Sequence, residues 1–138
     1  MRWSVDEFFR ELLPRIDLSD TLILYTSDHG QSLLEGGYKL SHCSGANAHP
    51  GEAIVPLMAF GQRTDFTAAL RRAAQESFGK TTHFSIFPTL LLAMGYDEPW
   101  ITQRYGAPLN RPSVDMERRF MTGDLFGSKL GAKWVRAD

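Results

Sequence analysis

The chain has 138 residues, of which 43% are hydrophobic, and its formal net charge is −1. This length and apolar content fit one globular unit, and the near balance of acidic and basic residues argues against nucleic-acid binding. No apolar run approaches the roughly 18 residues of a membrane-spanning helix, and acids interrupt the start "MRWSVDEFF" where a secretory signal needs an apolar stretch. We therefore expect a chain with no signal or transmembrane segment of its own. Its single cysteine, Cys43, excludes an internal disulfide.

The N-terminal part predicts a helix followed by a strand. Ser4 and Glu7 have the spacing of a capping box, and apolar residues then recur at helical spacing as far as Pro14. Residues 21–26 are β-branched, aromatic or aliphatic, which is typical of a strand buried on both faces. A helix followed by such a strand predicts an α/β layer.

Further along, the sequence predicts a long loop, a second strand and two helices. Residues 30–51 are rich in Gly, Ser, Asn and His, and a loop of that length is usually functional. "AIVPLMAFG", at 53–61, predicts a second buried strand, with Pro56 at an edge or a bulge. Helices are predicted over 66–78 and in "THFSIFPTLLLAMG", where Thr82 is the expected cap. From about residue 97 we predict an irregular tail with two strand-like pieces, "RRFMTGDLFG" and "AKWVR".

Asp28 and His29 directly follow the first predicted strand. Successive side chains on a strand point to opposite faces, so both reach one ion only if the chain turns, which Gly30 permits. The carboxyl end of a strand in an open α/β sheet is where ligands bind. A carboxylate and a neutral imidazole suit Zn²⁺ or Mn²⁺, whereas Ca²⁺ prefers oxygen ligands. The alternative is structural: Asp28 caps the turn and His29 satisfies it by hydrogen bonding.

Three ordered blocks carry a family resemblance: "TSDHGQSLLEGGYKLSH", "HPGEAIVPLMAF" and "THFSIFPTLLLAMG". Together they resemble the C-terminal part of the sulfatase-like catalytic domain of the alkaline phosphatase superfamily, in particular its phosphoethanolamine transferase and lipoteichoic acid synthase branch. The resemblance covers about residues 20–96, and Gln31 stands where that branch usually has Glu. It implies an α/β fold: the C-terminal part of an alkaline-phosphatase-like sandwich, with a mainly parallel sheet flanked by helices and a short β-rich tail.

The resemblance also implies roles for individual residues. Asp28 and His29 correspond to ligands of the catalytic metal, and His29, where arylsulfatases usually have Asn with Ca²⁺, indicates Zn²⁺ or Mn²⁺ and phosphoryl chemistry. His42 is similar to the histidine beside the substrate phosphate, which donates a hydrogen bond to a phosphoryl oxygen or protonates the leaving alkoxide; otherwise it is an ordinary loop histidine. His49 is either a contact to a second metal or to the substrate, or a polar loop residue.

No motif for the family's nucleophile occurs in this sequence, so we interpret residues 1–138 as a single partial domain that carries half of a metal site. The first hypothesis is a metal-dependent phosphotransferase or hydrolase acting on phosphate or sulfate esters, such as a phospholipid or lipid-linked glycan. Its parent would be an inner-membrane protein with a periplasmic catalytic domain, tethered by N-terminal spans that this chain lacks. The second hypothesis is a catalytically dead product that binds metal or partners, including further copies through an exposed sheet edge.

Overall fold

The computed structural model describes residues 2–37, 39, 41–42, 44–62, 64–112, 116–123 and 132–137. Helices and strands are mixed along these residues, which confirms the predicted α/β class. None of the described helices has the length and apolar character needed to cross a membrane. In chain order the elements are α1 (Arg2–Leu12), β1 (Ile23–Thr26), β2 (Leu57–Phe60), α2 (Thr64–Glu76), α3 (Ile86–Ala93), α4 (Glu98–Tyr105), β3 (Arg119–Thr122) and β4 (Lys133–Arg136).

Both described strand pairs are antiparallel, whereas the resemblance implies a mainly parallel sheet. β1 pairs with β2, and the amide of Gln62, after β2, donates to the carbonyl of Leu18, before β1, at 2.9 Å. Opposite ends of the two strands therefore meet. A parallel pair needs a crossover, usually a helix, but the described part of the connection between β1 and β2 contains only single 3₁₀ turns. β3 pairs antiparallel with β4, from Arg119 opposite Arg136 to Thr122 opposite Lys133.

The chain forms two compact units, and two of the three dividing points fall inside β1 and β2. The first comprises residues 1–24 and 59–114, and its core includes Phe9 of α1, whose ring lies 4.6 Å from that of Phe60. Ile101 of α4 is completely buried in this unit. The second comprises residues 25–58 and 115–138, and in it β4 contacts the 3₁₀ turn Gly45–Asn47.

α4 lies where the sequence predicts an irregular tail. Asp97 caps it by accepting a hydrogen bond from the amide of Trp100 at 2.9 Å, and Pro99 occupies its first turn, where a missing N–H has no cost. The chain leaves the helix at Gly106, with a φ of +87°. The two strand-like pieces predicted for the tail are confirmed as β3 and β4, although residues 124–131 lie outside the described part.

Other local predictions need correction at their boundaries. α1 begins at Arg2, so Ser4 lies inside the helix rather than at its cap. β1 is half-buried rather than fully buried. β2 begins only after Pro56, whose ring removes the amide that a ladder would use. A 3₁₀ turn, His83–Ser85, separates Thr82 from α3, and Thr82 makes no side-chain cap hydrogen bond.

Candidate metal-binding site

Asp28 is exposed at the first turn after β1, in the second compact unit. Its Oδ1 accepts a hydrogen bond from the amide of His29 at 3.0 Å and lies 3.5 Å from the hydroxyl of Ser27. The hydrogen bond from the His29 amide, followed by the charge of the His29 ring, lowers the pKa of Asp28. Asp28 is therefore a carboxylate at neutral pH, which is the form that ligates metal. The bond to the His29 amide is also the kind of turn contact that the structural alternative predicts.

His29 is held by its own neighbour in an orientation that fixes its tautomer. Its Nδ1 lies 2.7 Å from the carbonyl oxygen of Gly30. Because a carbonyl only accepts hydrogen bonds, Nδ1 must be the donor, and the neutral ring then has its lone pair on Nε2. Metal-ligating histidines commonly use this arrangement, in which one ring nitrogen donates to a carbonyl and the other faces the ion.

Gly30 is required for a different reason from the one the sequence suggests. Its φ is not in the left-handed region, so the turn itself does not need a glycine. A Cβ at this position would instead lie 2.1 Å from the carbonyl oxygen of Gly51 and 2.6 Å from that of Ile54. The amide of Gly30 donates to the carbonyl of Glu52 at 2.8 Å. The backbone after the Asp28–His29 pair is thus packed directly on the segment that leads into β2.

His42 lies beside His29, as the functional interpretation needs. The two ring centroids are 5.2 Å apart, with 42° between the ring planes. The backbone just before His42 is anchored because the amide of Ser32, a buried residue, donates to the carbonyl of Ser41 at 2.8 Å. The neighbouring Cys43 lies outside the described residues. The catalytic role of His42 stays a prediction that this placement permits.

His49 opens the 3₁₀ turn Pro50–Glu52 and acts as its cap. Its Nδ1 accepts a hydrogen bond from the amide of Gly51 at 3.0 Å, and its own amide donates to Oε1 of Glu52 at 3.2 Å. Since Nδ1 accepts, the proton of the neutral ring is on Nε2. That nitrogen is a donor suited to an anion such as a phosphate ester. A role of His49 at a second metal or at the substrate stays a prediction.

Glu52 is the residue of this region that the sequence analysis missed. Its side chain is buried, with 5% exposed, and accepts hydrogen bonds from the amides of Ser44 at 3.3 Å and His49 at 3.2 Å. Burial raises the pKa of Glu52, but the hydrogen bonds from Ser44 and His49 and the nearby His42 ring outweigh it, so the pKa is lowered overall. Glu52 completes a capping box with His49, but the usual sequence signal has Ser, Thr, Asp or Asn at the cap, so the spacing His49-x-x-Glu52 did not reveal it.

The side chains of this region can be compared with the ligands that a metal ion needs. Asp28 offers a carboxylate and His29 an imidazole nitrogen, and both suit Zn²⁺ or Mn²⁺. Across the described ranges, no group of three or more His, Cys, Asp and Glu side chains is placed to hold a metal ion. Because a catalytic zinc site usually has three protein ligands, these two donors alone do not make a complete coordination shell, and their metal role stays a prediction.

The fold and this region together define an α/β chain that presents an Asp–His pair at the end of a strand. The family model described as Sulfatase matches residues 2–96, which is more than half of the chain. The chain therefore belongs to the sulfatase family, and the resemblance to a sulfatase-like domain is confirmed at that level. No curated protein and no solved structure matches the chain significantly. The match stops at Tyr96, so α4, β3 and β4 lie beyond it.

Proposed function

We propose that the chain is the C-terminal part of a metal-dependent, sulfatase-like phosphotransferase or hydrolase of the phosphoethanolamine transferase type. One observation carries the proposal: in a sulfatase-family chain, an ionised Asp28 and a His29 with its Nε2 lone pair available follow β1 directly, with the His42 ring 5.2 Å from that of His29. In this proposal the chain contributes two metal ligands, and the nucleophile belongs to another part of the complete enzyme.

Asp28 and His29 would hold the ion, Zn²⁺ or Mn²⁺, and when bound it would act as a Lewis acid on the transferring phosphoryl group. The other roles belong to side chains of this chain. His42 is close enough to His29 to act on the same group, donating a hydrogen bond to a phosphoryl oxygen or a proton to the leaving alkoxide. His49 would be a contact to a second metal or to the substrate.

The substrate class in this proposal is a phosphate ester, with sulfate esters as the related alternative. The histidine at position 29, rather than asparagine, supports phosphoryl chemistry through the resemblance described above. A phospholipid or lipid-linked glycan would be the natural substrate of a parent enzyme with membrane spans and a periplasmic catalytic domain. Association through an exposed sheet edge belongs to the second hypothesis, a catalytically dead product that binds metal or partners.

Zinc titration by calorimetry tests the metal role. The wild-type chain is expected to bind Zn²⁺ weakly, and His29→Ala to bind at least about tenfold more weakly because one of two ligands is lost. His83→Ala is the matched control, since His83 is an exposed histidine of the other compact unit; it should bind like the wild type. Equal affinities of wild type and His29→Ala would remove the Asp28–His29 pair from the metal role.

Turnover assays test whether the nucleophile of the enzyme lies outside this chain. The 138-residue chain is expected to hydrolyse neither phosphodiesters nor sulfate esters with Zn²⁺, Mn²⁺ or Ca²⁺, because no nucleophile is assigned in it. Robust turnover that Asp28→Ala abolishes would overturn the proposal that the nucleophile lies elsewhere. The second candidate, a catalytically dead metal-binding module, is supported by the finding that no group of three or more His, Cys, Asp and Glu side chains among the described residues is placed to hold a metal ion. It is excluded if adding the missing part of a complete enzyme in trans restores turnover.

A further inference from the structure

Glu52 is bonded to both segments of the candidate site. Its backbone carbonyl accepts the amide of Gly30 at 2.8 Å, immediately after the Asp28–His29 pair. Its side chain accepts the amides of Ser44 and His49, which follow His42 along the loop. All of these residues belong to the same compact unit. One residue thus joins the turn that carries the metal-ligand pair to the loop that carries His42.

The two carboxylate oxygens of Glu52 have separate tasks. Oε2 accepts a hydrogen bond from the amide of Ser44, and Oε1 accepts one from the amide of His49. These are charge-assisted hydrogen bonds in a buried place, so their loss would leave two backbone amides without these acceptors. Neutral side chains of the same length do not substitute fully, since glutamine has one acceptor oxygen and presents a donor group at the other position.

The charge of Glu52 also acts on His42 itself. The His42 ring interacts favourably with the Glu52 carboxylate, which is one of the causes that hold the pKa of Glu52 down. This attraction adds to the hydrogen bonds from Ser44 and His49 that tie Glu52 to the loop after His42. A residue that served only to cap the turn Pro50–Glu52 would need only its bond to His49.

We infer that Glu52 is a positioning residue that holds His42 next to His29 by fixing the His42 loop to the turn after β1. It touches neither substrate nor metal in this role and acts through the two segments that it joins. The inference rests on the proposed function only for its effect on zinc affinity. The effect on the His29–His42 distance follows from the fold alone.

The experiment compares the wild-type chain with Glu52→Ala, Glu52→Gln and the control Thr89→Val. Thr89 is completely buried in the other unit, where its hydroxyl donates to the carbonyl of Ser85 at 2.6 Å and accepts the amide of Leu109 at 2.8 Å. The control therefore also breaks buried hydrogen bonds, but far along the chain from the site. Nuclear Overhauser contacts between the ring protons of His29 and His42 show whether the two rings lie close together. A Zn²⁺ titration measures the affinity of each variant for the metal.

Glu52→Ala is expected to lose the contacts between the two rings and to bind Zn²⁺ about ten- to hundredfold more weakly, the usual range for residues that support metal ligands. Glu52→Gln should keep part of both, and Thr89→Val should keep both in full. Ring contacts that persist in Glu52→Ala overturn the inference, as does an equal loss in Thr89→Val. If Glu52→Ala does not fold, Glu52→Gln decides by the same two readouts. Failure of the wild type to bind Zn²⁺ would overturn the proposed function alone, because the ring contacts still test Glu52.

Discussion

Replacing Gly30 with alanine tests the close packing that follows the Asp28–His29 pair. The new Cβ would meet the carbonyl oxygens of Gly51 at 2.1 Å and Ile54 at 2.6 Å. Both are backbone atoms, so no side-chain rotation relieves the overlap, and either the turn after β1 or residues 51–54 must shift. A shift large enough to clear the methyl group also strains the hydrogen bond from the Gly30 amide to the Glu52 carbonyl.

The expected loss of stability follows from these two effects. Forcing one extra carbon into a packed place typically costs about 1–3 kcal/mol, and a typical backbone hydrogen bond contributes about 1 kcal/mol net. We therefore expect Gly30→Ala to lower the free energy of unfolding by about 3 kcal/mol, a large part of the roughly 5–15 kcal/mol of a small domain. For a chain of this length, that corresponds to a melting temperature lower by roughly 10–15 °C.

Urea unfolding followed by circular dichroism measures this loss. The matched control is Gly79→Ala. Gly79 has a φ of +69°, and a Cβ there would have open space around it among the described residues, so alanine meets only backbone strain. That strain costs about 1–2 kcal/mol. A Gly30→Ala variant no less stable than Gly79→Ala would refute the close approach of the two segments and, with it, the steric explanation for the glycine.

Two further predictions concern Glu52 and Asp97. The pKa of folded Glu52 lies below its ordinary value of 4.5, so its carboxylate stabilises the fold above that value, and this contribution is lost as the pH falls through the lowered pKa. Glu52→Gln should therefore show a shallower loss of urea resistance as the pH falls below 4.5, and an unchanged slope would contradict this. Asp97→Ala removes the cap of α4 and should cost about 1 kcal/mol in thermal unfolding. Asp97→Asn, which keeps a capping oxygen, should recover most of that loss, and equal stabilities of wild type and Asp97→Ala would count against the cap.

The sequence predicted the parts of the fold that depend on local patterns. α1, α2 and α3 follow from helical spacing of apolar residues, and the two strands of the tail follow from their composition. The sequence analysis missed α4 because the prolines in this part of the chain indicated irregular structure. Asp97 followed by Pro99 is nevertheless an ordinary helix start. The capping-box signal at Ser4 was misleading because Ser and Glu three residues apart also occur inside helices, as they do in α1.

The candidate site was predictable in its residues but not in its supports. Asp28 and His29 stand out because two polar groups that are costly to bury directly follow an apolar run. Glu52 is separated from Gly30 along the chain, and its importance comes from burial and from a backbone contact that no local pattern encodes. The pairing of His29 with His42 likewise depends on how the intervening loop folds back.

All the candidate site residues lie in one stretch of chain, from Asp28 to Glu52, within one compact unit. Exchange of this segment between related proteins would have to move it as one piece, because the Asp28–His29 pair, the neighbouring His42 and the buried Glu52 depend on contacts within it. Recombination that cuts inside the stretch would separate Gly30 from the carbonyl groups against which it packs. If residues around His42 are exchanged between related proteins, the exchanged segment should therefore begin before residue 28 and end after residue 54. Gly30 and the carbonyl groups against which it packs then come from the same parent.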